Sequence, residues 1–177
     1  MIHADIEVEG VVYNTYLCAS EDFKKRGESK IALDDYYRTN AEKAESHYDF
    51  CVRKGWQEYV DQMIAVDYLI LNRDRHGANI EILRNARART LRMAPLFDHG
   101  LSLLYSCMSD EAAGKFNLME DKRCQNFIGS YSCYENLKYL KGKGDVFENK
   151  LRENDKDIIF EGLETILSDV FIEKIWN

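Results

Sequence analysis

Between Trp56 and Leu71 the apolar residues Trp56, Tyr59, Val60, Met63, Ile64, Tyr68 and Leu71 recur at spacings that keep them on one helical face. The pattern predicts an amphipathic helix that stops just before Asn72. Asp67 falls on the same stripe, where a lone carboxylate is costly unless it is paired or hydrogen-bonded. It reads either as a brace for the loop that follows or as a partly exposed residue at the helix end. A second helix is expected from Ile31 to about Arg53, with Leu33, Tyr37, Ala41 and Ala44 on one face and Gly55 just past its end. A third runs from about Asp155, its candidate N-cap, through Ile158, Ile159, Gly162, Leu163, Ile166, Leu167 and Val170.

Shorter periods punctuate these helices. Ile80 to Leu83 and Thr90 to Met93 have strand character and are joined by Arg84 to Arg89, which predicts a β-hairpin with a solvated basic tip. Alternation from Ile6 to Leu17 around Gly10 predicts another hairpin. Residues 20 to 30 read as a charged loop, Met108 to Lys122 as a polar, mobile segment, and Lys141 to Gly144 as a turn. Gln125 to Tyr139 reads as helix interrupted near Gly129, and Val146 to Arg152 as a short helix. The fold class expected is mainly α with short β-hairpins.

A chain of 177 residues, 45% apolar, with a single proline, suits one domain with a real core. Its net charge of -7 argues against broad nucleic-acid binding, which depends on neutralising phosphates. No leader pattern and no long apolar run is present, so the expectation is a cytoplasmic protein without a membrane span. Cys18, Cys51, Cys107, Cys124 and Cys133 are scattered without a Cys-x-x-Cys pair, and are expected to be reduced and mostly buried.

The chemistry concentrates where the first helix ends. Asn72-Arg73-Asp74-Arg75-His76-Gly77-Ala78-Asn79 is followed, nineteen residues after Asn79, by Asp98-His99-Gly100. Phosphoryl transfer needs a base near the attacking hydroxyl and oxygen ligands that hold Mg2+ against the phosphates. Asp74 suits the base, while Asn79 and Asp98 suit the metal, with the Ile80 to Met93 hairpin folding the chain back between them. His76 and His99 read as structural supports, and Gly100 as a residue that permits a backbone conformation closed to others. A transition-metal hydrolase using Asp74, His76 and Asp98 is a rival, without a His-Glu-x-x-His motif behind it.

The segments Asp67 to Asn79 and Ala94 to Leu103 resemble the C-terminal lobe of HipA-like serine/threonine kinases, whose helix ends in Asn-x-Asp-x-His-x-x-Asn and is followed by Ala-Pro-x-x-Asp. The resemblance covers about residues 56 to 105 within a single C-lobe domain spanning 1–177. It implies a protein-kinase-like fold, ATP and Mg2+ as cofactors, Asp74 as catalytic residue, and Asn79 and Asp98 as cofactor and metal ligands. It also implies an N-terminal lobe that this chain lacks: there is no glycine-rich phosphate loop, and Lys24, Lys25 and Lys30 have no strand context. The expected partner is therefore an N-lobe, from another chain or an upstream segment, without which the chain is inactive. The protein substrate is not specified. The alternative is a non-catalytic C-lobe acting as a protein-binding or regulatory module.

Overall fold

The computed structural model describes residues 2–17, 21–146 and 151–177. In chain order the strands and helices are β1 (Ile2–Val8), β2 (Val11–Leu17), β3 (Glu28–Ala32), α1 (Leu33–Asn40), α2 (His47–Arg53), α3 (Gln57–Leu69), β4 (Asp74–Arg75), β5 (Glu81–Asn85), β6 (Thr90–Met93), α4 (Asp110–Lys115), β7 (Gln125–Asn126), α5 (Cys133–Asn136), α6 (Asp155–Phe160) and α7 (Asp169–Trp176). Among the described residues no helix is long and apolar enough to cross a membrane.

The two expected hairpins form. β1 and β2 pair antiparallel from Val8↔Val11 outward, with Glu9 and Gly10 both at positive φ in the connecting turn, as a two-residue hairpin loop requires. β5 and β6 pair from Asn85↔Thr90 to Ile82↔Met93. A third strand joins that pair: β3 runs antiparallel to β5, with Ile31 opposite Ile82. Residues 28 to 30 therefore belong to a sheet rather than to a charged loop, and Lys30, expected without strand context, lies in β3 opposite Leu83, because β5 offers a free edge far along the chain. The Arg92 guanidinium fastens this sheet by hydrogen bonds to both oxygens of Glu28, at 2.8 and 2.7 Å.

Three expected helices are corrected. The segment from Ile31 to Arg53 is a strand followed by α1 and α2. Its break is held by specific bonds: Ala44 takes a positive φ, Ser46 caps α2 by accepting from the Asp49 amide, and Arg53 grips Glu45 at 2.6 and 2.7 Å. The Tyr37 hydroxyl donates to the Glu45 carbonyl in the same turn. Between Gln125 and Tyr139 helix begins only at Cys133. Gln125–Asn126 instead pairs parallel with Asp74–Arg75, and the turn at Gly129 packs so closely on Asn136 that a Cβ there would lie 1.9 Å from the Asn136 oxygen. The C-terminal periodicity breaks at Gly162, φ 77°, so that α6 and α7 double back with Phe160 edge-on to Trp176. Ile158 is left 72% exposed by this reversal, and Asn154, not Asp155, is the N-cap of α6. The Val146 to Arg152 helix falls largely outside the described residues, and Leu151 and Arg152 are not helical.

One core joins the helices to the three-stranded sheet. Leu33, Phe50, Cys51, Val60, Met63, Ile64, Ile80 and Ile82 are buried together, and the Leu33 amide donates to the Ile80 carbonyl at 2.8 Å. The residue after Asn79 is thus a core anchor. Cys51, Cys124 and Cys133 are buried thiols, Cys107 is half-buried, and Cys18 lies outside the described residues. Burial pushes the Cys51 thiol up to about 12.

Phe50 is fully buried, so Phe50→Ala is expected to lower unfolding free energy by about 3–5 kcal/mol in urea titration. Acid sensitivity has a named origin as well. Arg92 and the Lys25 amide hold the Glu28 carboxyl at about 2, and Arg53 holds that of Glu45 at about 2, against an ordinary 4.5. A depressed carboxylate stabilises the fold fully above its unfolded value and loses that contribution as pH falls toward its folded value. Stability measured against pH should hold above pH 4.5 and decline from there toward pH 2. In Arg92→Met the decline should be shallower; a profile parallel to that of the parent protein would contradict the assignment.

Candidate active site

The site is built at the C-terminus of α3. The Asn72 amide donates to the Asp67 carbonyl at 2.8 Å and the Leu71 amide to the Tyr68 carbonyl at 3.2 Å, the paired bonds that close a helix through one left-handed residue. That residue is Leu71, at φ 50°, where glycine is the usual occupant. The reversal brings the Asn72 side chain back onto Asp67, whose Oδ1 accepts from Asn72 Nδ2 at 2.9 Å.

Asp67 is the buried brace. Its carboxylate accepts from Arg75 Nε at 3.2 and 3.0 Å and from a terminal Arg75 nitrogen at 3.0 Å, and the two side chains are 4% and 0% exposed. The rest of the guanidinium is also fully used. One terminal nitrogen donates to the Asn79 carbonyl at 3.1 Å and the Phe97 carbonyl at 2.6 Å, and the other to His99 Nδ1 at 3.0 Å. All five guanidinium N–H groups thus have acceptors. Since arginine cannot accept, His99 Nδ1 is the unprotonated ring nitrogen. Partial desolvation, with the Arg75 charge second, lowers the His99 pKa.

This fork places the sequence candidates. Asp74 sits in β4, half-buried, with its amide donating to Asn72 Oδ1 at 3.2 Å and its carboxylate 3.7 Å from His76 Nε2. Asn79 is buried and donates from Nδ2 to the Asp74 carbonyl at 2.9 Å. Asp98 is exposed and lies between Phe97 and His99, the two residues that Arg75 holds. The segments carrying Asp74, Asn79 and Asp98 are therefore joined through Arg75, with no direct bond between the two aspartates. Positive φ falls on Asp98, at 55°, and not on Gly100, which corrects the expectation for that glycine. An aspartate tolerates this region better than a branched residue, yet it remains a sparsely populated conformation of the kind found at working sites.

The remaining residues shape the loop. His76 Nδ1 accepts from the Ala78 amide at 3.2 Å, opening the tight turn Gly77–Asn79, which supports its structural reading. Gly77 has no room for a side chain: a Cβ would lie 2.5 Å from the Asp34 Cβ and 2.8 Å from the Phe127 ring. Among the described residues no three His, Cys, Asp or Glu side chains converge as a metal site, so Asp74, His76 and Asp98 do not form the set that a hydrolase metal centre would use.

Beside Asp74 opens a cleft of about 570 Å³, lined by Arg73, His76, Tyr105, Arg123 and Tyr131 among others. Arg123 was not singled out by the sequence. It arrives because the Gln125 amide donates to the Arg73 carbonyl at 2.8 Å, a long-range pairing with no local signature. Arg75 was also missed as a brace, although an arginine flanking an acidic motif beneath a buried helical aspartate is a signal that could have found it.

Replacing Arg75 by methionine leaves the Asp67 carboxylate buried and unpaired, and is expected to cost about 3–5 kcal/mol of stability in urea unfolding. Asp67→Leu with Arg75→Met should recover most of that loss, since both charges are then removed. A single variant within about 1 kcal/mol of the parent protein would show that the pair does not brace the loop.

No family model matches the sequence, and no curated protein matches it. Among solved structures, the fold is similar to the crystal structure of a Helicobacter pylori proinflammatory kinase, CtkA, with 17% sequence identity and a TM-score of 0.56. The likeness covers 87% of this chain and 66% of that one, so the chain spans less than two thirds of that kinase's length. At this identity it is the fold that is shared, and the fold is kinase-like.

Proposed function

We propose that the chain is the C-terminal catalytic lobe of a HipA-like, ATP-dependent serine/threonine kinase, and that it needs an N-lobe to act. The observation that carries this reading is the Arg75 fork, which ties the Asn79 carbonyl, Phe97 and His99 to one buried anchor. In the proposed mechanism Asp74 accepts the proton of the acceptor hydroxyl as it attacks. His76 Nε2 lies 3.7 Å from the Asp74 carboxylate, beside the oxygen that would take the proton.

The donor set fits Mg2+. The Asn79 amide nitrogen is committed to the Asp74 carbonyl, which leaves Oδ1 as the end for a cation. The Asp98 carboxylate is exposed and has no ion pair among the described residues. Two oxygen donors are a normal protein share for Mg2+, which takes its other ligands from phosphates and water. When bound with ATP, the ion would neutralise charge on the transferred phosphoryl group. The backbone strain at Asp98 supports the same assignment, because Arg75 holds the Phe97 carbonyl and the His99 ring on either side of it.

The N-lobe requirement is supported by the β1–β2 hairpin, whose Val8, Val11, Val12 and Tyr13 are more than half exposed. Two-stranded hairpins are marginal alone, and these residues offer a surface for further strands from an upstream segment or a partner. The same surface would serve the second reading, a C-lobe used only as a binding module.

Calorimetric titration of the isolated chain with Mg2+ and ATP, followed by a transfer assay with an N-lobe supplied, separates the two readings. The expected result is silence or millimolar affinity, about 4 kcal/mol of binding, abolished in Asp98→Ala. With an N-lobe supplied, Asp74→Asn should lower phosphoryl transfer by about 10²–10⁴-fold or more while the unfolding curve is unchanged. Full transfer by Asp74→Asn would remove Asp74 as the base, and no transfer by the complete assembly would leave the binding-module reading.

A further inference from the structure

The cleft beside Asp74 carries the opposite charge to the protein as a whole. The chain has a net charge of -7, yet Arg73, Arg123 and His76 line this cleft with Asp74 as its one acidic wall. Among the described residues neither arginine has an ion-pair partner, whereas Arg38, Arg53, Arg75 and Arg92 are all paired with carboxylates. Arg73 has one long side-chain bond, to Ser106 at 3.4 Å, and its buried Nε has no acceptor. Its guanidinium instead rests on the Tyr105 ring at 4.1 Å, and that of Arg123 lies over Tyr131 at 5.7 Å.

Two guanidiniums held on aromatic faces, with donors to spare, form a receptor for oxyanions such as carboxylate and phosphate. Asp74 repels an anion at the point where the hydroxyl must sit, so the anionic groups must flank the acceptor position. Resting on the reading of Asp74 as the base, we propose that this cleft selects an acidic acceptor segment: a serine or threonine whose neighbouring side chains carry carboxylate or phosphate groups for Arg73 and Arg123. The aromatic rings of Tyr105 and Tyr131 add contact area for the peptide backbone and its side-chain stems. A basic acceptor segment is disfavoured by the same charges.

Fluorescence anisotropy with labelled serine peptides and no nucleotide tests this directly. Three probes differ only in the flanks of the serine: glutamates, phosphoserines or lysines. Either anionic peptide should bind at least about tenfold tighter than the lysine peptide. The preference should shrink as salt rises, because the contacts lie in an open cleft. The tighter of the two anionic probes identifies carboxylate or phosphate as the source of the charge. Arg123→Gln should lower affinity for the anionic probes about tenfold, and Arg123→Lys should restore part of it.

Equal binding of all three peptides, preference for lysine, or no binding by any would overturn the proposal. The peptide comparison on the unaltered chain stands even where an arginine variant folds poorly. Because the assay contains neither ATP nor Mg2+, a lost preference together with intact Asp98-dependent nucleotide binding sinks the acceptor assignment alone. A kept preference together with no phosphoryl transfer by the assembly that includes an N-lobe sinks the phosphotransfer reading instead.

Discussion

The fold of the site depends on one buried ion pair. Asp67 and Arg75 are both out of water, and such a pair stabilises only when every remaining donor and acceptor is matched. Here the match is complete on the arginine side, and the acceptors it finds belong to three separate stretches of chain: the end of α3, the Asn79 turn and the Phe97–His99 segment. A hydrophobic replacement could fill the volume but could not direct three backbone segments at once. The burial of charge here buys geometry more than stability.

That geometry explains how strained residues persist. Leu71 and Asp98 both occupy left-handed backbone conformations, each unfavourable for a residue with a side chain. Leu71 is held by the bonds that close α3, and Asp98 by the grip of Arg75 on both neighbours. Below them, Ile80 and Ile82 anchor the returning hairpin in the common core, so the loop from Asn72 to Asn79 is fixed at both ends.

Legibility in the sequence followed the range of the forces involved. Helix α3 and the β5–β6 hairpin were readable because their periodicity and turns are local properties of Trp56 to Leu71 and Ile80 to Met93. β3 was not, because its partner is β5, and neither was β7, which pairs with β4. The break between α1 and α2 was hidden because it rests on Arg53, Tyr37 and Ser46 finding particular turn atoms, not on a glycine or proline. In the site, spacing nominated Asp74, Asn79 and Asp98, and the lone carboxylate on an apolar stripe flagged Asp67. The cations were less legible: Arg75 is buried where arginine is rarely found, and Arg123 reaches the cleft only through tertiary pairing.

Under the proposed function, Arg75 sets Asn79 and Asp98 against a single cation. Titrating the isotopically labelled chain with Mn2+ in place of Mg2+, and following paramagnetic broadening of amide signals by NMR, tests it most directly. The Asn79 side-chain amide and the backbone amides of Asp98 and His99 are expected to broaden together at the same Mn2+ concentration, and Asp98→Ala to remove the effect at all of them. Broadening at Asp98 with Asn79 untouched, or broadening centred elsewhere on the protein, would contradict it.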